Sequence, residues 1–273
     1  MGKLNYILSI LLLSCLQLHA QVDTALPERK LFTVAAPIKS FNVDNLYNIY
    51  LINNNNQVKK LNDKGDSVGV YNDVKRYGDI SYIDVTSPLK ILVYYQDFAT
   101  VVILDRFLTH RATIALRQHN ILQPGAVALS YDNNIWVYDE AESKIKKIDE
   151  SGNVLLTSND LRLSFTEAPQ VSKIIDDSGM LYLYDATQGW LLFDYYFALK
   201  KRISEADWQD VQSINANMIG RKGGTIYFIK EADINVKKTV CNYCNSGTIK
   251  TMYTANFFYL LQKDGLSIYD LKK

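Results

Sequence analysis

Histidine, cysteine and proline are scarce in this chain. Its 273 residues include only three, three and five of them. His19 falls in an N-terminal segment expected to be cleaved, which leaves His110 and His119. Both sit near Arg111 and Arg117, in no metal-ligand or nucleophile-elbow pattern, and read as surface-loop residues. The five prolines lie between or beside strand-like segments, and the 13 glycines form no Gly/Ser tract, so no linker divides the chain. Net charge is nearly absent too, with 30 basic against 29 acidic residues, or 29 against 29 once Lys3 leaves with residues 1–20. That excludes a global basic field for nucleic acid. What is abundant is apolar and aromatic material, 48% and 12%, including 19 tyrosines. This is globular composition, not disordered, collagenous or coiled-coil.

One apolar run of note occurs, Leu4 to Leu18, behind the single charge Lys3. It is too short to span a bilayer, and Leu18-His19-Ala20 before Gln21 ends in a small residue, the pattern of a secretory signal cleaved after Ala20. Residues 21–29 then form a short N-terminal segment, and no membrane-spanning segment remains after cleavage. Leu12-Leu13-Ser14-Cys15 loosely resembles a bacterial lipobox, but Leu13 is bulky where a small or β-branched residue is usual, so lipidation through Cys15 is the lesser alternative. The Asn-, Ile-, Lys- and Tyr-rich body resembles an exported protein of a Gram-negative bacterium. Export leaves Cys241 and Cys244 as a pair. An oxidising compartment favours a small-loop disulfide between them. Free thiols, and a metal or redox role, are the weaker alternatives, because no other ligand lies near and the flanks read as strand end and turn.

A repeat organises the rest. An apolar run with a central aromatic recurs at Ile49-Tyr50-Leu51, Val93-Tyr94-Tyr95, Ile135-Trp136-Val137, Leu181-Tyr182-Leu183, Ile226-Tyr227-Phe228 and Phe258-Tyr259-Leu260. Five of these runs are followed about a dozen residues later by a strand-like ending, at Leu61-Asn62, Leu104-Asp105, Ile148-Asp149, Phe193-Asp194 and Tyr269-Asp270. Turn sequences such as Asp132-Asn133-Asn134 and Glu150-Ser151-Gly152 punctuate the runs. Periods of about 40–45 residues, with short strands too small to cover both faces alone, are the signature of propeller blades.

The period and pattern resemble the β-propeller superfamily, and in particular its six-bladed NHL-like and sensor-like members. No Trp-Asp or Tyr-Trp-Thr-Asp blade motif is present, so the likeness is one of architecture. It implies an all-β, six-bladed propeller as a single domain over residues 30–273. The last copy ends at Asp270 without an outer strand, and Lys30-Leu31-Phe32-Thr33-Val34-Ala35 is the expected replacement, closing the ring. Between the fourth and fifth copies, Ser204 to Ser213 could cap and open a short helix with Trp208, Val211 and Ile214 on one face; an irregular loop is the alternative.

Chemistry is hard to find. Gly220-Arg221-Lys222-Gly223-Gly224 reads as a hairpin turn rather than a phosphate cradle. Asp176-Asp177 and Asp139-Glu140-Ala141-Glu142 lack calcium-loop spacing, and the recurring Asp or Asn reads as a turn former. The lysine pairs, among them Lys59-Lys60 and Lys146-Lys147, read as solvated strand edges. No catalytic, cofactor-binding or metal-ligating residue stands out, and no cofactor is called for. Of the aromatics, Trp190 and Trp208 are the candidates for a docking rim, against burial between blades. The expected function is that of a non-catalytic scaffold in the cell envelope, binding an envelope protein or a subunit of an outer-membrane secretion or assembly complex. Because some six-bladed propellers are lactonase-like, the resemblance also implies an alternative, a hydrolase or lyase with a channel metal held by inner-strand carboxylates and Asn. Inner-strand side chains decide between them: three or more converging ligands favour the enzyme, and an apolar or lysine-plugged channel favours the scaffold.

Overall fold

Aromatic and β-branched residues in short runs pair best as pleated strands, and in the computed structural model they do so six times over. The structure describes residues 29–35, 37–232 and 236–271. Blade 1 comprises β2 (Ile38–Val43), β3 (Ile49–Asn53), β4 (Val58–Leu61) and β5 (Ser67–Tyr71). Blade 2 comprises β6 (Tyr82–Ser87), β7 (Lys90–Tyr95), β8 (Thr100–Asp105) and β9 (His110–Ala115). Blade 3 comprises β10 (Pro124–Leu129), β11 (Ile135–Asp139), β12 (Lys144–Ile148) and β13 (Val154–Thr157). Blade 4 comprises β14 (Val171–Asp177), β15 (Met180–Asp185), β16 (Gly189–Phe193) and β17 (Leu199–Ile203). Blade 5 comprises β18 (Gln209–Ile214), β19 (Asn217–Lys222), β20 (Thr225–Lys230) and β21 (Val236–Val240). Each sheet is antiparallel with its strands in chain order.

The sixth blade departs from that order as the sequence implied. β22 (Lys250–Tyr253), β23 (Phe257–Gln262) and β24 (Gly265–Asp270) are completed by β1 (Lys30–Val34), in the order β1-β24-β23-β22. The clasp pairs Phe32 with Ile268 and Val34 with Leu266, and both side chains pack on the core between blades 6 and 1. Gly265, at φ +139°, lets β1 cross: a Cβ there would meet the Val34 carbonyl oxygen at 2.4 Å.

The first strands of the blades neighbour one another round the ring, β2 beside β6, β6 beside β10, and so on to β22 beside β2. They enclose the axis, and the core lies between blades in six apolar clusters. Blades 3 and 4 approach most closely, because β10 offers only Ala126 and Ala128 to the facing strand β14. In blades 2 to 4 the recurring tyrosine of the second strand ties the blade to the start of the next. Tyr94 donates to the carbonyl of Pro124, Tyr138 to that of Pro169 at 2.7 Å, and the Tyr184 hydroxyl accepts the Trp208 N–H at 2.6 Å.

The segment 204–213 is not helical. Residues 209–214 are β18, the inner strand that blade 5 needs. Pairing with β19 satisfies more backbone than one or two isolated helical turns would, so tertiary demand overrides the local helical pattern. Residues 1–20, expected from sequence to be a signal, and Cys15 among them, lie outside the described residues.

Candidate functional site

The recurring Asp or Asn is a turn former in four of its five places, while Asp270 meets Arg29 beside β1. One oxygen of Asn62, Asp105, Asp149 and Asp194 accepts the backbone N–H groups two and four residues on, at 2.8–3.0 Å. These carboxylates are spent on local backbone.

The inner-strand polar groups do a second job, joining adjacent blades into a closed circle. Asn42 donates its amide to the Ile83 carbonyl. Asp84 accepts the Leu129 N–H at 2.8 Å. Asp176 accepts from Ser130 Oγ at 3.2 Å, from the Tyr131 N–H at 3.1 Å and from Trp136 Nε1 at 2.9 Å. Asp177 accepts from Ser213 Oγ at 2.6 Å and from the Ala216 N–H at 3.0 Å. Asp210 accepts from the Thr251 N–H at 2.9 Å, from Thr251 Oγ1 at 3.0 Å and from Arg221 Nε at 2.8 Å. Lys250 completes the circle by donating to Asn42 Oδ1. A carboxylate engaged by two or more donors from its neighbour holds blades in register, and few of its lone pairs remain for a ligand.

The space these strands surround is a channel of about 630 Å³. Strand register sets its layers. Ser40, Tyr82, Ala126, Lys173 and Lys250 occupy equivalent positions in five blades, and Asn42, Asp84, Ala128, Ile175, Gln212 and Met252 form the next layer. In blade 5 a bulge between Gln209 and Gln212 breaks the first layer, with Asp210 at φ 56°, its carboxylate engaged by Arg221 and Thr251. Lys173 and Lys250 both line the channel, and neither has a carboxylate within ion-pair distance among the described residues. The Lys173 ammonium lies 3.4 Å from the centre of the Tyr82 ring. Burial pulls its pKa down to about 7, with Asp84 opposing and Lys250 assisting. Burial likewise lowers Lys250 to about 8, against the pull of Asp210. Burial, helped by Asp84, raises the Tyr82 phenol well above its ordinary value. By the criterion set from sequence, this is a lysine-lined channel whose carboxylates are tied into the fold. Among the described residues, no group of three or more His, Cys, Asp or Glu is placed to share a cation.

The sequence's docking candidates lie elsewhere than on a rim. Trp190 is fully buried, and Trp208 is only 4% exposed. The two stack edge-to-face with centroids 6.1 Å apart, in the core between blades 4 and 5. Their size makes the inter-blade gap the better place for them. The exposed large apolar and aromatic side chains are others. Leu46, Leu89 and Tyr131 stand in turns after first strands, and Phe107 and Tyr196 in turns after third strands. In antiparallel four-stranded blades those turns all emerge on one face of the disc. Each of the five side chains is more than half exposed, Tyr196 at 90%. Tyr131 stacks on Tyr195 at 4.7 Å beside a second pocket of about 530 Å³ that Asp176 and Asp177 also line. The signal available in the sequence was an aromatic inside a turn motif, in Tyr131-Asp132-Asn133 and Asp194-Tyr195-Tyr196.

The lysine pairs are not uniformly solvated edges. Lys60, Lys146 and Lys147 are buried. Lys147 pairs with Asp132 and lies 4.6 Å from the Trp136 ring, and Lys60 donates to the Arg106 carbonyl. Burial works against the Lys146 ammonium, but bonds to Asp139 at 2.7 Å and Glu142 at 3.0 Å outweigh it and hold its pKa above the ordinary value. Lys59, Lys237 and Lys238 are exposed. A disulfide between Cys241 and Cys244, Cα atoms 5.2 Å apart, closes the turn that leads from blade 5 to blade 6. Cys241 packs into the core there, beside Tyr269.

No family model and no curated protein matches the sequence. Solved structures match the fold. The WD40 domain of Neurospora crassa Pan2 superposes with a TM-score of 0.64 at 11% identity, over 92% of this chain and 98% of that one. Virginiamycin B lyase from Staphylococcus aureus gives 0.59 at 11%, over 90% and 88%. PorZ, described as a bacterial surface component of the type-IX secretion system of Porphyromonas gingivalis, gives 0.58 at 14%, over 86% of this chain but only 31% of PorZ. At such identities the likeness establishes a propeller and nothing finer. Among the described residues no helix is long and apolar enough to cross a membrane.

Proposed function

We propose that this propeller is an exported, non-catalytic docking disc of the cell envelope, an accessory subunit of an outer-membrane secretion or assembly complex. The observation that carries the proposal is the face bearing Leu46, Leu89, Phe107, Tyr131 and Tyr196. Large apolar and aromatic side chains held over half exposed on rigid turns are what a protein partner buries at the centre of an interface. Two further observations support it. The inner-strand carboxylates are committed to holding blades together, which suits a scaffold better than a catalytic channel. PorZ, which shares the fold over one part of its length, is itself an envelope component. The N-terminal Leu4–Leu18 run supports export.

The test is affinity isolation of the tagged full-length protein from gently solubilised envelopes, in parallel with a variant carrying Phe107→Ser, Tyr131→Ser and Tyr196→Ser. These residues are exposed, so the variant keeps its fold and melts like the parent. The proposal expects a defined outer-membrane complex to travel with the parent and to be lost from the variant. Recovery of the parent as a free monomer, or an identical complex with the variant, refutes it.

A further inference from the structure

The channel holds two lysines that, among the described residues, have no carboxylate within ion-pair distance. Lys173 comes from blade 4 and Lys250 from blade 6, in the same layer of the ring. The blade between them supplies Asp210, whose carboxylate binds Arg221 and Thr251. Asp84, one layer on, accepts the backbone N–H groups of Thr86 and Leu129, each at 2.8 Å. Lys250 donates to the neutral oxygens of Asn42 and Ser40 and lies 5.6 Å from the centre of the Phe41 ring, and Lys173 lies over the Tyr82 ring. Lys173 and Lys250 are half-buried, whereas most of the fully buried lysines of the described chain have a carboxylate: Lys90 has Glu150, Lys146 has Asp139 and Glu142, and Lys147 has Asp132. Drawing a lysine even partly out of water without a partner leaves the desolvation of its charge uncompensated. Two such lysines facing one cavity of about 630 Å³, a volume typical of small-molecule sites, mark a place prepared for an anion.

We propose that the channel binds the oxyanion group of a small molecule, a carboxylate or a phosphate, held between Lys173 and Lys250. The amide of Asn42 and the ring of Tyr82 lie beside that position, so the ligand has an anionic head and a body able to rest on an aromatic wall. This site is distinct from the apolar docking face, and its failure would leave the docking proposal standing. Binding also has a protonation signature. The groups acting on Lys173 are Tyr82 and Asp84 from β6 and Lys250 from β22, and Asp210 from β18 acts on Lys250. Of these, Lys173 itself lies closest to neutrality near pH 8, so an arriving anion draws a proton onto it from solvent.

The experiment is isothermal titration calorimetry of the whole protein with inorganic phosphate and, separately, with succinate, at pH 8 and low ionic strength. Each titration is run in two buffers of different ionisation enthalpy. The expected result is saturable binding of at least one probe, with a buffer-dependent heat that reports proton uptake. Lys173→Met with Lys250→Met weakens it at least about tenfold. Lys173→Arg keeps the binding but reduces the buffer dependence, since guanidinium is already charged and Lys250 alone is left to take up a proton. A preference between the two probes tells a phosphate-bearing from a carboxylate-bearing ligand. The proposal is overturned if neither probe saturates at millimolar concentration. It is overturned equally if the double Met variant, shown by thermal melting to be folded, binds as the parent does.

Discussion

Asp210 is the channel carboxylate on which a structural and a catalytic reading differ most, and replacing it with alanine separates them. In the folded protein it is the counter-ion of Arg221, which is 4% exposed, and the acceptor for both donors of Thr251 in the next blade. Asp210→Ala leaves the guanidinium buried with the Gly223 carbonyl, 3.2 Å away, as its remaining acceptor. Breaking a buried ion pair from one side costs about 3–5 kcal/mol. The stranded Thr251 N–H adds about 1–3 kcal/mol where water cannot reach it, but water from the channel reaches this site. The expected loss is therefore about 3–4 kcal/mol, close to half the stability of a typical domain. Asp210→Ala with Arg221→Met removes the unpaired charge as well, and should recover about 2 kcal/mol of that loss. Urea unfolding at neutral pH, with unchanged dependence on denaturant, is the assay. A single-variant loss below about 1 kcal/mol refutes the latch, as does a double variant no more stable than Asp210→Ala alone. A carboxylate kept for chemistry at the expense of the fold would give the opposite sign, a gain in stability on replacement.

Two further outcomes follow from the same geometry. Lys173, held at about 7 when folded, binds fewer protons than the unfolded chain between pH 7 and its ordinary value, so stability rises with pH across that window and its cost is complete below pH 7. Lys173→Met should therefore be more stable than the parent at pH 6 by about 2 kcal/mol, after allowing for channel water, with a gap that shrinks by pH 9; an equal gap at both pH values in urea unfolding contradicts this. Gly265→Ala drives a Cβ to 2.4 Å from the Val34 carbonyl oxygen and should displace β1, lowering stability by about 2–3 kcal/mol and exposing the edge of β24 to self-association, which melting and size-exclusion chromatography would register; an unchanged monomer with an unchanged melting temperature contradicts the clasp's dependence on that glycine.

Architecture was legible in the sequence because it rests on periodic burial. The second-strand runs around Tyr50, Trp136, Tyr182 and Tyr259 are covered on both faces by neighbouring blades, so they read as continuous apolar segments at a constant period. The Asp or Asn ending each third strand was legible because its role is local, a side chain folding back on its own turn. The clasp was legible as a missing outer strand. The channel was not. Lys173 and Lys250 are 77 positions apart in the chain and share a layer only through strand register. Nothing local distinguishes Lys173, half-buried in the channel, from Lys238, exposed on an outer strand. The exposed apolar face was missed for the converse reason. Tryptophan is the strongest hot-spot residue, yet its volume draws Trp190 and Trp208 into the core, while the smaller Tyr131 and Tyr196 occupy turns with nowhere to bury.

Blade 5 shows why the repeat faltered where it did. By strand register, Leu51, Val93, Val137, Leu183 and Leu260 occupy one position of the second strand, and Gly220 stands there in blade 5. The next position carries Tyr94, Tyr138 and Tyr184 in blades 2 to 4, but Arg221 here. The aromatic run at Ile226-Tyr227-Phe228, which marks the fifth copy in the sequence, is consequently the third strand and not the second. Both losses are made good from residues at the start of the blade, Trp208 just before its first strand and Asp210 within it. Trp208 fills the space over Gly220, where a Cβ would lie 2.5 Å from its ring. Asp210 meets Arg221 in place of the tyrosine's hydrogen bond. The residues that suggested a helix, Trp208 to Ile214, are thus the ones that replace the missing blade marker. Restoring only one half of the exchange, by placing a large side chain at 220 while Trp208 remains, would overfill a gap that the other blades fill from within.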